Sequence, residues 1–304
     1  MTLKTLFKAA LILGLAGFAV FWVLTVPKTH GAAALEGHSG DSEKGALVFA
    51  AAGCASCHAA KDAKQADRLI LSGGRAFPSD FGTFYAPNIS PDAKQGIGNW
   101  TLAQFANAVS FGTSPTGKHY YPAFPYSTYQ NMELADIADL FAYFQTLPPS
   151  AEVAKPHNVP FPFNIRRSLG MWKFLLMPKG FHLPETGLTE AEMRGRYLVE
   201  AMGHCTECHT SRNFLGGLRT NHWLAGGPNP DGKGKIPNIT PHKQGIKSWA
   251  EIDIVTYLNS GFTPEYDSAG GAMAEVVENM MQLPAQDHKA IAAYLQKVDA
   301  LPTP

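Results

Sequence analysis

The chain contains an internal repeat. CASCH, from Cys54, returns as CTECH from Cys205, a shift of 151 residues. PNISPDAKQGIGNW, from Pro87, returns as PNITPHKQGIKSW, from Pro237, shifted by 150, and AYFQTLP, from Ala142, returns as AYLQKVDALP, from Ala293, shifted by 151. Three separate matches at nearly one offset require two copies of one unit, each little over a hundred residues long. The copies span 40–149 and 191–304; residues 1–30 precede them and 150–190 join them. A length of 304 residues accommodates two units of ordinary domain size.

Within each copy the pattern is helical. Residues 42–49 and 192–202 lead into the two cysteine pairs with apolar residues at helical spacing, and 102–109 and 252–258 follow Trp100 and Trp249. Residues 132–144 and 285–298 close the copies as amphipathic helices, stopped by Pro148 and Pro302. Little reads as strand, so the expected class is all-α. The stretches 73–98 and 216–245 are rich in Gly, Pro and Asn and read as loops. Loops of that length are uncommon in a compact unit unless they wrap something.

The repeated pentapeptide says what they wrap. Two thiols separated by two residues, followed at once by His, let both sulfurs bond the vinyl side of a haem while the imidazole reaches its iron. Cys54, Cys57 and His58 form one set; Cys205, Cys208 and His209 form the other. Two covalently attached haem c groups are therefore expected, and a large flat apolar cofactor supplies core that the protein omits. A zinc ribbon needs its second C-x-x-C about 15 to 20 residues on, whereas 147 residues separate Cys57 from Cys205. The four cysteines are all used by the two pairs, which leaves none for a long-range disulfide.

The sixth iron position separates a wire from a catalyst, because a thioether closes the iron and raises its potential while an open position admits small molecules. In the second copy Met273, in Gly270-Gly271-Ala272-Met273, is the expected axial ligand, with Met280 or Met281 as rivals. The corresponding loop of the first copy, His119 to Tyr126, holds no methionine; Met132, the nearest thioether, is the expected ligand there, with His119 as the alternative donor.

Residues 9–26 run without a charge, about 27 Å of helix at ~1.5 Å per residue, nearly a bilayer core. Lys4 and Lys8 lie on one side and Lys28 on the other, with Trp22 near the far end. Residues 1–30 thus read as a signal-anchor helix, N-terminus inside, with the rest beyond the cytoplasmic membrane. A cleavable signal peptide is the rival, with Ala32-Ala33-Ala34 as its site, though its apolar region is usually shorter. Residues 150–190 form a Pro- and aromatic-rich linker whose Phe161, Phe163, Ile165, Trp172, Phe174 and Leu175 are too apolar for water. They pack between the copies or meet a partner. Lys plus Arg and Asp plus Glu are each 25, so no basic excess exists to neutralise phosphates and nucleic acid is not an expected partner.

On C-x-x-C-H, the PNI-S/T-P loops, GRYLVE before GHCTECHT, YPAFPY and PFPFNIRR, the chain resembles the cytochrome subunits of membrane-bound periplasmic dehydrogenases that act on alcohols or related substrates. The resemblance implies two tandem class I cytochrome c domains, in which the first and last helices of each cross and haem-wrapping loops enclose the cofactor. It further implies that Asn88, Asn238, Trp100 and Trp249 surround the haems and that Arg75 and Arg212 meet propionates. Relatives commonly carry methionine where this chain has Phe124. The function this implies is a membrane-tethered di-haem carrier, moving single electrons from a periplasmic dehydrogenase or other donor to a quinone, an oxidase or a soluble cytochrome. The rival is a haem enzyme, a peroxidase or sulfur-compound oxidoreductase, working at the first haem.

Overall fold

Twelve helices of at least one turn order the chain in the computed structural model, which describes residues 2–60, 62–229 and 234–304. The first, α1 (Leu3–Leu24), carries Lys4 and Lys8 in its opening turns, is uncharged from Ala9 onward and has no buried residue. In the N-terminal half, α2 (Ser42–Ala51) starts at Asp41, whose carboxylate accepts from the amides of Glu43 and Lys44. It leads into the one-turn α3 (Cys54–His58). Then come α4 (Leu102–Phe111), begun by a Thr101/Gln104 capping box, the short α5 (Tyr126–Tyr129) and α6 (Leu134–Phe144).

The joining segment carries α7 (Ser168–Leu176). In the C-terminal half, α8 (Glu190–Tyr197) begins on a Thr189/Glu192 capping box and continues as a π-helical turn over Leu198–Met202. After it come α9 (Cys205–His209), α10 (Glu251–Ser260), α11 (Ala272–Met280) and α12 (Ala285–Lys297).

The two halves use the same packing device. Helix α2 lies on α6, and α8 lies on α12. A Cβ at Gly45 would stand 2.0 Å from Asp139 O, and one at Gly195 would stand 1.9 Å from Ala290 O. Each close crossing therefore requires a residue without a side chain. Val48, Phe49, Ile137, Leu140 and Phe144 fill the first contact; Val199, Ile291, Tyr294 and Leu295 fill the second.

The helices lie close to where apolar spacing places them, but three features depart from the sequence reading. The stretch 73–98 holds a hairpin of β1 (Ala76–Ser79) and β2 (Gly82–Tyr85), and 216–245 holds a shorter one of β3 (Gly227–Pro228) and β4 (Lys235–Ile236); residues 230–233 of that stretch lie outside the described residues. The first hairpin survives because Phe84 packs against Tyr121 and His157, and Thr83 bridges to Asn158 of the joining segment. That segment, read as a linker, contains α7. Met273, read as part of a loop, lies in the first turn of α11.

Candidate functional site

Each C-x-x-C-H stretch forms a single helical turn, which brings cysteines three residues apart and the following histidine to one side of the turn. Beside that turn runs the PNI loop. His58 Nδ1 donates to Pro87 O at 2.9 Å and His209 Nδ1 to Pro237 O at 2.8 Å. A proton held at Nδ1 leaves the lone pair on Nε2, which is the arrangement a metal-binding imidazole needs. Among the described residues neither Nε2 has a hydrogen-bond partner. Burial pulls both imidazoles below their usual value, and the proline carbonyls oppose this without reversing it, so both rings are neutral bases at neutral pH.

The thiols match. Burial pushes Cys54 and Cys205 up to about 12 and Cys57 up to about 11, so they remain S–H groups. Thiols held in the S–H form do not make a reactive thiolate pair. The donor set of each turn, two thiols and an imidazole with Nε2 free, fits a covalently attached haem.

The expected sixth ligands have different surroundings. Met273 is partly buried in the first turn of α11, whereas Met280 is in the core and Met281 is exposed. Met132 is buried in the turn before α6, where its amide bonds Tyr129 O; Leu283 occupies the same turn before α12, with its amide on Met280 O. Two positions 151 residues apart thus share one packing role. His119 is buried too, and its Nε2 meets Thr25 O at 2.9 Å, which commits it to the end of α1. Phe124 packs among Tyr120, Tyr126 and Tyr129.

The residues drawn in by resemblance hold the loops and the halves together. Asn88 Nδ2 donates to Ser150 O and Glu152 O, both at 2.8 Å, and Asn238 Nδ2 donates to Leu301 O at 2.8 Å. Each asparagine pins the chain leaving the last helix of its half to the PNI loop. Trp100 and Trp249 are partly buried against the core. Arg75 is held by the Glu275 carboxylate at 2.7 Å and by Ser56 O, and Arg212 by the Glu207 carboxylate and by Gly216 O at 2.8 Å.

Several of these contacts cross between the halves, in two matching arms. Thr128 Oγ1 donates to Glu207 Oε1 at 2.9 Å, beside Ser127 Oγ at 2.5 Å. Asn279 Nδ2 donates to Ser56 Oγ at 2.8 Å. Glu207 and Ser56 are the same position of the two C-x-x-C-H turns, and Asn279 and Thr128 the same position of α11 and α5. The short helix of each half thus rests on the cysteine turn of the other. On the axis between them, Tyr129 OH donates to Ala52 O at 2.7 Å, and His204 Nε2 reaches the same carbonyl at 3.2 Å. Burial drives the Glu207 carboxyl upward, but Arg212 and the two hydroxyls outweigh it and hold the group below the usual carboxylate range.

Sequence reasoning missed the proline carbonyls, Tyr129, His204 and Glu207. The repeat carried a signal for the first, since Pro87 and Pro237 open its longest match.

A cytochrome c family model matches residues 42–148. The chain is 53% identical over 292 residues to a diheme cytochrome c-type protein of Cereibacter sphaeroides, an alignment covering 96% of this chain and 97% of that one. It is 39% identical over 267 residues to the fructose dehydrogenase cytochrome subunit of Gluconobacter japonicus, and 34% identical over 270 residues to the cytochrome c subunit of a quinone alcohol dehydrogenase of Gluconobacter oxydans. Each alignment covers 86% of this chain, which spans about half the length of those subunits, 54% and 55%.

Proposed function

The chain belongs to the diheme c-type cytochromes, and from that membership we propose that it is a membrane-tethered carrier of single electrons built as two tandem class I cytochrome c domains. Cys54, Cys57 and His58 hold one haem c, and Cys205, Cys208 and His209 hold the other. Residues 1–30 anchor it in the inner membrane with the N-terminus inside, and both haem domains stand in the periplasm. Its donor is a periplasmic dehydrogenase or another reductant; its acceptor is a quinone, an oxidase or a soluble cytochrome. The bound haem supplies one-electron redox chemistry at iron. The chain supplies geometry: proline carbonyls fix both imidazoles, and reciprocal contacts hold the cysteine turns against each other, which keeps the second transfer within one molecule.

The observation that carries this reading is the Nδ1–H to proline carbonyl bond duplicated beside the two C-x-x-C-H turns. Met273 closes the second iron. At the first iron we assign no methionine, because Met132 occupies the packing place of Leu283 and Phe124 stands in the ligand loop. An iron without a thioether is what the enzyme reading also needs, but its candidate acid–base group, His119, has Nε2 committed to Thr25 O. A redox-titrated optical spectrum of the mature protein tests all of this. We expect two haems per chain, two one-electron waves and one equivalent of carbon monoxide bound on reduction. Colourless protein, or one haem per chain, overturns the carrier; carbon monoxide binding at neither iron returns a sixth ligand to the first.

A further inference from the structure

The joining segment and a neighbouring loop carry large apolar side chains that stand well exposed. Phe161 is 77% exposed, Leu175 64% and Phe214 88%, and Phe163 and Phe174 are exposed as well. Phe214 belongs with them because Trp172 Nε1, on α7, donates to Leu215 O at 2.8 Å. The patch is therefore built round α7.

Helix α7 also clasps the end of α1. Arg167 Nε donates to Thr25 Oγ1 at 2.7 Å and Arg167 Nη2 to Trp22 O at 2.6 Å, with the guanidinium 4.3 Å from the centre of the Trp22 ring. Gly170 approaches so closely that a Cβ there would lie 2.7 Å from Thr25 Cα. Thr25 has no exposed surface, although no residue of α1 itself is buried. The apolar helix thus leaves the body at a fixed point, next to α7.

Charge runs the same way. Between Glu152 and Glu185 the chain has Lys155, Arg166, Arg167, Lys173 and Lys179 and no acidic residue. Lys173 turns inward to Gly112 O at 3.0 Å and to the Tyr126 ring, so Lys28, Lys155 and Lys179 are the exposed cations of this region. A segment whose exposed charges are all basic, and whose helix leaves Phe174 and Leu175 in the open, has the composition of one that lies in a membrane interface. Within 153–184 itself an anionic headgroup would meet no repelling carboxylate.

We propose that α7, with Phe161, Phe163, Phe174, Leu175 and Phe214, is a second membrane contact, seated at headgroup depth in the periplasmic leaflet beside the exit of α1. The occupant is lipid, because the patch is continuous with residues 22–25, where a spanning helix emerges and its interfacial tryptophan sits. The inference rests on the reading of α1 as a retained span. Its consequence is orientation: one span leaves the haem-bearing body free to swivel, and a second contact fixes which face is turned to the bilayer.

The test uses the full haem-loaded chain, alone, in vesicles of phosphatidylcholine and phosphatidylglycerol that include a phospholipid with a photoactivatable carbene precursor on its acyl chain. After illumination the labelled peptides are mapped by mass spectrometry. Ile252, on α10 and as exposed as Leu175, serves as the reference for water-facing apolar side chains. Labelling of 168–176 and 214–215 about fivefold above Ile252, together with strong labelling of α1, is the expected result. Labelling of α1 with 168–176 and 214–215 at the level of Ile252 overturns the interfacial contact, leaves the anchor standing and turns the patch over to a protein partner. Labelling of neither overturns the anchor and the second contact with it.

Discussion

His58 and His209 each spend one nitrogen on a proline carbonyl, and that single bond decides which nitrogen is left to bind iron. The same separation of roles makes the methionines testable one at a time. Leucine in place of Met273 removes a thioether at a partly buried helix start, so M273L should turn the second haem high-spin, lower its potential and raise carbon monoxide uptake from one equivalent to two. M132L installs the residue that already fills the equivalent turn at Leu283, so its spectrum and uptake should match the parent protein; a new high-spin haem would place Met132 on iron. Lys173 offers a pH test. Burial lowers its ammonium from 10.5 to about 7, so between those values the unfolded chain holds a proton that the folded chain has released. Stability should therefore rise with pH across that window. The urea midpoint of K173M, compared with the parent at pH 6.5 and pH 9, should show a flatter rise; unchanged slopes would mean that the amine titrates normally.

At the scale of elements, the crossings of α2 with α6 and of α8 with α12 depend on the missing side chains of Gly45 and Gly195. G45A and G195A force a methyl into a carbonyl at about 2 Å, so each should cost about 1–3 kcal/mol in a thermal or urea melt. A cost near zero in both would mean that the helices separate freely. These crossings were only partly legible in the sequence. The apolar spacing of 102–109, 132–144 and 285–298, with the stops at Pro148 and Pro302, located the helices, because those signals are local. Helix α7 escaped notice because Pro156, Pro160, Pro162, Pro178 and Pro184 bracket it and make the whole stretch resemble a connector. Helix α11 was hidden by Gly270 and Gly271, which read as loop although Gly271 only stops the helix from starting earlier. The β1–β2 hairpin depends on Asn158 and His157, more than seventy residues away, and no local pattern announces such a partner. In the site, the pentapeptides exposed the thiols and imidazoles directly, whereas the packing role of Met132 emerged only when Leu283 was seen in the same turn.

At the scale of the molecule, the repeat becomes an interface. A duplicated chain could hang as two independent units, but here each short helix sits on the other half's cysteine turn through positions that the duplication itself relates. The two arms have diverged chemically. One joins Asn279 to Ser56 through a neutral hydrogen bond flanked by the more exposed ion pairs Arg75–Glu275 and Arg68–Glu278, while the other buries the Glu207 carboxylate, 8% exposed at its side chain, against Arg212 with Ser127 and Thr128 donating. Removing one partner of a buried, satisfied ion pair leaves the other charge without compensation, at about 3 kcal/mol, whereas losing one neutral hydrogen bond costs about 1 kcal/mol. E207A should therefore lower the urea midpoint far more than N279A. It should also split a single unfolding transition into two, because the charged arm fastens α5 to the second cysteine turn. Following both haem bands through the same melt separates the alternatives. Equal small losses in the two variants, with one shared transition retained, would mean that the axis residues Tyr129 and His204, both bonded to Ala52 O, together with the Arg75–Glu275 and Arg68–Glu278 ion pairs of α11, hold the halves without the Glu207 cluster.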